Sequence, residues 1–297
     1  MAISLLFFSS AEISLPLFNT LLHDERFEVK ALFCQPDKPV GRNQTLTSPR
    51  TKKIAENSGI PVYQPEKLSK ATELLEKLQQ DPPDFILTFA YGQIMNQDWL
   101  DLPRFKALNV HTSLLPKYRG ASPIQAALLN GDRESGITLM EMVLKMDAGP
   151  IAFQDKVELT RESTAGDLHD SLSELAALKI PDHLVSLFEN IEQFKEQSDA
   201  EATHCKKINR EDGYIDFKDA PELIMRKFHA YSPWPGIWTT FKGKRLKILD
   251  CRLSESDEGL TVGGIELLSL QLEGKKALSA RDFLLGQSDF SSELIPS

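Results

Sequence analysis

Apolar residues fall in short, continuous runs over the first half of the chain: Ile3–Phe8, Val29–Phe33, Asp84–Ala90, Ala107–His111 and Ile137–Met142. Runs this short are read as strands buried on both faces. Between them, Leu15–Leu22, Lys52–Asn57 and Lys67–Gln80 carry apolar residues at helical spacing, with Leu68, Leu74, Leu75 and Leu78 on one face of the last. Pro82-Pro83 breaks the chain before the third run. Strands alternating with helices predict an α/β domain, N-terminal and doubly wound, with a mainly parallel Rossmann-type sheet. Ligands of such sheets sit beyond the carboxyl ends of the strands. Residues just after 84–90 and 107–111 are therefore in position for chemistry.

The pattern then changes. Over 164–195, Leu168, Leu172, Leu175, Leu178, Leu184, Leu187, Phe188 and Ile191 predict a long helical region, with a break or kink at Pro181. The polar stretch Glu192–Thr203 reads as a linker. Short strand patterns follow at Gly213–Phe217, Trp238–Phe241, Arg245–Cys251, Gly259–Val262 and Leu267–Leu272, with a helix at Pro221–Ala230. Glycines punctuate these runs, so a small C-terminal β-barrel, OB-like, is expected. The predicted organisation is a catalytic domain at 1–191, a linker at 192–206 and the barrel at 207–297.

Composition narrows the class. Of 297 residues, 41% are hydrophobic and 26% charged, which excludes disorder as the dominant state. Cys34, Cys205 and Cys251 are too few and too scattered for a disulfide scaffold or a metal site. They fit a reducing compartment, so a cytoplasmic location is expected. No apolar stretch approaches the roughly 20 residues of a membrane span. The opening residues lack the basic head of a signal peptide. Gly41, Gly59 and Gly92 stand alone, so no phosphate-cradling glycine loop is present.

The net charge of −9 argues at first against a nucleic-acid partner. Its distribution reverses that reading. Residues 154–203 hold most of the excess acid, and 204–250 are net basic. Lys38, Arg42, Arg50, Lys52 and Lys53 lie in the stretch Lys38–Ala55, which has no acidic residue. Lys206, Lys207, Arg210, Lys242, Lys244, Arg245 and Lys247 form a second basic group. Both suit phosphate contacts.

The densest chemistry lies in Leu108–Ala121. Asn109 and His111 are two apart on a strand and so share a face. An amide donor beside an imidazole suits addition to a carbonyl, with Asn109 holding the oxyanion and His111 polarising it or moving a proton. Asp147, in the loop after the next strand, could fix the imidazole if those two strands are neighbours.

The segment His111–Gly120, HTSLLPKYRG, closely resembles the SLLP hallmark of the folate-dependent formyltransferases. The family's Asn-x-His pair and downstream Asp match Asn109, His111 and Asp147. The continuation Arg119–Gln125, RGASPIQ, is similar to the branch acting on methionyl-tRNA rather than to the glycinamide ribonucleotide enzymes. Gln35–Arg42 resembles the family's tRNA loop, Ala90-Tyr91-Gly92 its folate-side loop, and Ser232–Gly236 and Gly274–Leu278 its rear patches. The likeness spans nearly the whole chain in the family's order. One departure is the first turn, where Ser9-Ser10-Ala11-Glu12 replaces a Gly-Thr-Pro-like sequence. No binding residue is carried over there.

The resemblance implies a formyltransferase-like fold. It implies formyl transfer from 10-formyltetrahydrofolate, as cosubstrate and without metal, to the α-amino group of initiator methionyl-tRNA for translation initiation. Asn109, His111 and Asp147 would be catalytic. Tyr91, Gly92, Ser113, Leu114, Leu115 and Pro116 would meet the folate. Lys38, Arg42, Lys206, Lys207, Lys244 and Arg245 would meet the tRNA. A monomer without membrane association is expected. Two competing enzyme readings are a related transferase acting on a small amine and a hydrolase of the formyl donor. A third reading, of another class, is a non-catalytic RNA-binding protein, which would have no need to keep the three site residues together.

Overall fold

The computed structural model describes residues 2–40, 44–190, 193–254, 260–287 and 290. The chain divides into two compact units. The first comprises Met1–Gly120, Glu134–Glu158 and His169–Cys205; the second comprises Ala121–Arg133, Leu159–Leu168 and Lys206–Ser297.

The first unit is built on a seven-stranded sheet. Its order is Ile151–Glu158, Glu134–Glu141, Lys106–His111, Phe85–Thr88, Ile3–Phe8, Phe27–Phe33, Val62–Tyr63. The five strands from Lys106–His111 to Val62–Tyr63 are parallel. Glu134–Glu141 pairs antiparallel with Lys106–His111, and Ile151–Glu158 antiparallel with it in turn. Every residue of Ile3–Phe8 is buried, as expected of a strand covered on both faces. One face joins Phe8, Phe33, Tyr91 and Trp99 in an aromatic cluster, and on the other Phe7 stacks on Phe18 of the helix Leu15–His23.

Several elements differ from the sequence pattern. Lys67–Gln80 is a short 3-10 turn at Leu68–Lys70 and a separate helix at Thr72–Gln79, because Ala71 leaves helical geometry at ψ 54°. The helix Ala165–Phe188 is not broken at Pro181. Its buried stripe, Leu168, Leu172, Ala176, Ile180, Leu184 and Leu187, continues across the proline. That burial offsets the one backbone hydrogen bond the ring removes. Edge strand Ile151–Glu158 has no apolar run to announce it.

The second unit holds a five-stranded antiparallel sheet, barrel-like, of Ile237–Phe241, Lys244–Leu253, Leu260–Val262, Ile265–Leu272 and Leu278–Ser279. The register of Lys244–Leu253 shifts on either side of Asp250. Such irregularities bend a strand and curve a sheet. Phe241, Phe283 and Phe290 close its core. Gly213–Phe217 is not a strand. A 3-10 turn at Arg210–Gly213, capped by Asn209, occupies its start, and only Tyr214 bridges to Trp238.

Residues 193–205, within the stretch expected as a linker, belong to the first unit and are tied along it. Lys195 exchanges both backbone hydrogen bonds with Ile151, and His204–Cys205 pairs with Arg119–Gly120.

Candidate active site

Lys106–His111 delivers two side chains at its carboxyl end. Asn109 stands opposite Thr88 on the parallel neighbour, and His111 opposite Thr138 on the antiparallel one. The Thr88 hydroxyl lies 2.7 Å from Asn109 Oδ1. This contact orients the amide and leaves Nδ2 without a hydrogen bond among the described residues.

His111 is 6% exposed. Its Nε2 lies 2.9 Å from the Tyr118 carbonyl, which can only accept, so Nε2 carries hydrogen. Nδ1 is therefore the nitrogen left to exchange a proton. It faces Asp147 Oδ1 at 3.8 Å, an electrostatic contact longer than a hydrogen bond. Asp147 Oδ2 accepts the Gly120 N–H at 2.8 Å. The structure thus brings Asn109, His111 and Asp147 to one sheet end, with Asp147 in the loop between the last two strands of the sheet. Asp147 faces the imidazole, and the hydrogen on Nε2 follows from the Tyr118 carbonyl.

The chain path demands two glycines here. A Cβ on Gly120, at φ +124°, would lie 2.1 Å from the Cys205 carbonyl oxygen. One on Gly149 would lie 1.9 Å from that of Glu141. Asp147 itself adopts φ +51°, the left-handed region, where Asp is among the better tolerated residues.

A hydrogen-bonded strap holds this loop. Gln197 Nε2 donates to the carbonyls of Asp147 (3.0 Å) and Gly149 (2.7 Å), and its Oε1 accepts from Arg119 Nε at 3.0 Å. Arg119 is 2% exposed, and its Nη1 reaches Asp199 at 2.6 Å. Lys145 also pairs with Asp199. Lys145 first and Arg119 second pull the Asp199 carboxyl down to about 2. Arg119 Nη2 is buried without a hydrogen-bond partner among the described residues. Sequence reasoning missed Thr88, Arg119 and Gln197 as supports. Thr88 could be found only from strand register. Gln197 has no local signal at all, lying in a polar stretch.

The residues expected at the folate are dispersed in role. Tyr91 is buried in the aromatic cluster, and burial pushes its phenol pKa up. Gly92, next to it, has φ +81°. Ser113 and Leu115 are buried, and Leu114 and Pro116 are half-buried. Thr138 and Gln154 bond the backbone of Ser113 and Leu115 and so shape the turn that presents the Tyr118 carbonyl. In the divergent first turn, Ser10 Oγ accepts the Gln35 N–H and donates to the Tyr91 carbonyl.

Among the expected tRNA contacts, Arg42 lies outside the described residues. Lys38 is exposed beside Gln35. Within its basic stretch, Lys52 pairs with Asp37 and Arg50 with Glu12. In the second unit Lys206 pairs with Asp212, Lys207 and Lys244 are exposed, and Arg245 bonds Glu211. Among the described residues no cluster of metal-ligating side chains occurs, and no helix is long and apolar enough to cross a membrane.

Residues 5–184 match the formyl transferase family and 207–265 the formyl transferase C-terminal domain. The chain is 38% identical to the methionyl-tRNA formyltransferase of Geobacter metallireducens over 300 aligned residues, covering 96% of each chain. Two solved structures share the fold at low identity. One is a methionyl-tRNA formyltransferase from Clostridium thermocellum (TM-score 0.62, 14% identity, 91% of this chain and 99% of that one). The other is HypX from Aquifex aeolicus in complex with tetrahydrofolic acid (TM-score 0.64, 16% identity, 96% and 47%). Agreement of this depth over nearly the full length shows that the chain belongs to the methionyl-tRNA formyltransferases, within the formyl transferase family.

Proposed function

We propose that the chain transfers the formyl group of 10-formyltetrahydrofolate to the α-amino group of methionine on initiator methionyl-tRNA, in the cytoplasm, for translation initiation. The observation that carries this reading is the 38% identity over 96% of both chains to a methionyl-tRNA formyltransferase, second unit included. A transferase for a small amine has no need of a second domain that carries local basic clusters such as Lys242–Lys247.

The site residues fit a formyl carbonyl. Asn109 Nδ2, unspent among the described residues, donates to the oxygen that gains charge as the amine adds to the formyl carbon. The amine must lose a proton. His111 Nδ1 and Asp147 together accept it, since Nε2 is committed to the Tyr118 carbonyl. When the carbon–nitrogen bond to the donor breaks, the same pair returns a proton to the departing nitrogen. The products are formylmethionyl-tRNA and tetrahydrofolate. Residues 207–297 act as the tRNA-binding domain, with Lys206, Lys207, Lys244 and Arg245 supplying positive charge.

The test is an assay with labelled formyl donor and four acceptors: charged initiator tRNA, charged elongator tRNA, free amines and water. Label entering only initiator methionyl-tRNA is expected. Transfer to a small amine at a comparable rate, or release of formate alone, overturns the reading.

A further inference from the structure

Two rear-domain stretches, Ser232–Gly236 and Gly274–Leu278, stand out in the sequence without any chemistry attached. The fold brings Trp234, Pro235 and Gly274 to the wall of one open cavity of about 790 Å³. Arg210, Trp238, Arg245, Lys247 and Gln271 also line it.

The wall is held together by contacts among its own residues. Trp238 Nε1 donates to the Arg210 carbonyl at 3.0 Å, and Tyr214 meets its ring edge-on at 5.1 Å between centroids. The Arg245 guanidinium lies over the Trp238 face, 3.9 Å from the ring centroid, and is steadied by Glu211 at 3.0 Å. Indole and guanidinium thus form a rigid stacked pair. Trp234, by contrast, is 55% exposed, a large aromatic surface left in water. Arg210 and Lys247 are exposed and have no carboxylate partner among the described residues. Among the described residues of the lining, Glu273 is the one carboxylate, against three cations.

A free aromatic face beside unpaired cations selects a ligand that is both aromatic and anionic. A nucleotide has this character: the base stacks and the phosphates meet the cations. A base inside a duplex has no free face to offer, so the ligand must be unpaired. We propose that this cavity is a stacking site for one unpaired nucleotide of the tRNA. Trp234 takes the base, and Arg210 and Lys247 take its flanking phosphates. The proposal rests on the tRNA reading above and extends it from general positive charge to a defined subsite.

The experiment uses the full chain and two readouts. Tryptophan fluorescence follows titration with a five-nucleotide single-stranded RNA and with a blunt RNA duplex; Trp234 and Trp238 line the cavity, whereas Trp99 is 1% exposed in the first unit. Steady-state formylation gives kcat and KM for methionyl-tRNA and for the formyl donor. Trp234→Ala is expected to weaken single-strand binding about tenfold and raise KM for methionyl-tRNA about tenfold, in the range of one lost base stack. Its kcat and donor KM stay unchanged, and Trp234→Phe restores both values to within about twofold. Circular dichroism confirms that both variants fold.

Unchanged KM and oligonucleotide affinity in Trp234→Ala overturn the stacking site, as does equal affinity of the wild type for the duplex. Should wild-type protein bind the single strand through Trp234 yet fail to formylate methionyl-tRNA, the proposed reaction falls and a nucleotide site stands. Should it formylate normally with a KM indifferent to Trp234, the reverse holds.

Discussion

Replacing Gln197 tests whether the strap sets the geometry of Asp147. The side chain makes three hydrogen bonds: two donated to the carbonyls of Asp147 and Gly149, and one accepted from Arg119. A neutral hydrogen bond contributes about 1 kcal/mol net, and one to a charged group about 1.5–3. Gln197→Met removes all three and leaves a second donor of a 2%-exposed guanidinium unpaired. A stability loss of about 2–4 kcal/mol follows, reduced where water reaches the gap. Gln197→Glu separates the two roles. Its carboxylate still accepts from Arg119, but it cannot donate to either carbonyl. Asp147 is then free to leave φ +51°. A displacement of its carboxylate by about 1 Å costs on the order of 100-fold in rate. The assay is single-turnover formyl transfer alongside a thermal melt. Gln197→Glu should melt well above Gln197→Met, yet lose about 100-fold in rate as that variant does. A rate for Gln197→Glu within threefold of wild type would refute the clamp. Losses that track the melting temperature across both variants would reduce Gln197 to a structural role.

Asn109→Ala and His111→Ala are each expected to lose about 10²–10³ in kcat while folded, the usual cost of an oxyanion donor; near-normal turnover in either sinks the assignment. Thr88→Val keeps the shape beside Asn109 but removes the hydroxyl at 2.7 Å, so kcat should fall about tenfold with KM for the donor nearly constant. Asp199 has its carboxyl at about 2 in the folded chain, against 3.8 ordinarily. Its contribution is full above about pH 4 and is lost as pH falls toward 2, because the unfolded chain takes up the proton first. Asp199→Asn should therefore flatten the acid limb of Tm against pH, and an unchanged limb counts against the Lys145–Asp199–Arg119 contact. Arg42→Ala should weaken formylation of methionyl-tRNA far more than binding of the formyl donor; equal loss removes its tRNA role.

What the sequence made legible depended on how each element is stabilised. Ile3–Phe8 is read directly because burial on both faces leaves a nearly continuous apolar run, and Lys106–His111 through its buried Ala107, Leu108 and Val110. Apolarity carries no direction, so nothing announced that Glu134–Glu141 lies antiparallel to its neighbour. Yet that pairing carries the chain into the loop that holds Asp147. Ile151–Glu158 escaped notice because an edge strand alternates weakly, and three of its eight residues are exposed. Gly213–Phe217 alternates as a strand should, since Ile215 and Phe217 are buried, but the Asn209-capped turn uses the same alternation to anchor a loop. Asn109, His111 and Asp147 were legible through spacing and family likeness. Their supports were not, because a hydrogen bond from Gln197 to a carbonyl 50 residues away leaves no periodic trace.

These supports bear on where the proton goes. A neutral histidine with hydrogen on Nε2 presents a lone pair from Nδ1. At 3.8 Å, that lone pair faces a carboxylate that offers no proton when ionised. Such a pairing is poor while Nδ1 lacks a proton and good once it holds one, so in the proposed reaction the attraction would grow as the amine gives up its proton. The Tyr118 carbonyl is needed for this polarity, since a side chain able to donate in its place would let Nε2 accept instead. It sits in the turn that Thr138 and Gln154 brace through the backbone of Ser113 and Leu115. Gln154→Leu removes one brace without touching the reacting groups. It should lower kcat with the melting temperature nearly unchanged, whereas a purely structural brace would lower activity and melting temperature together.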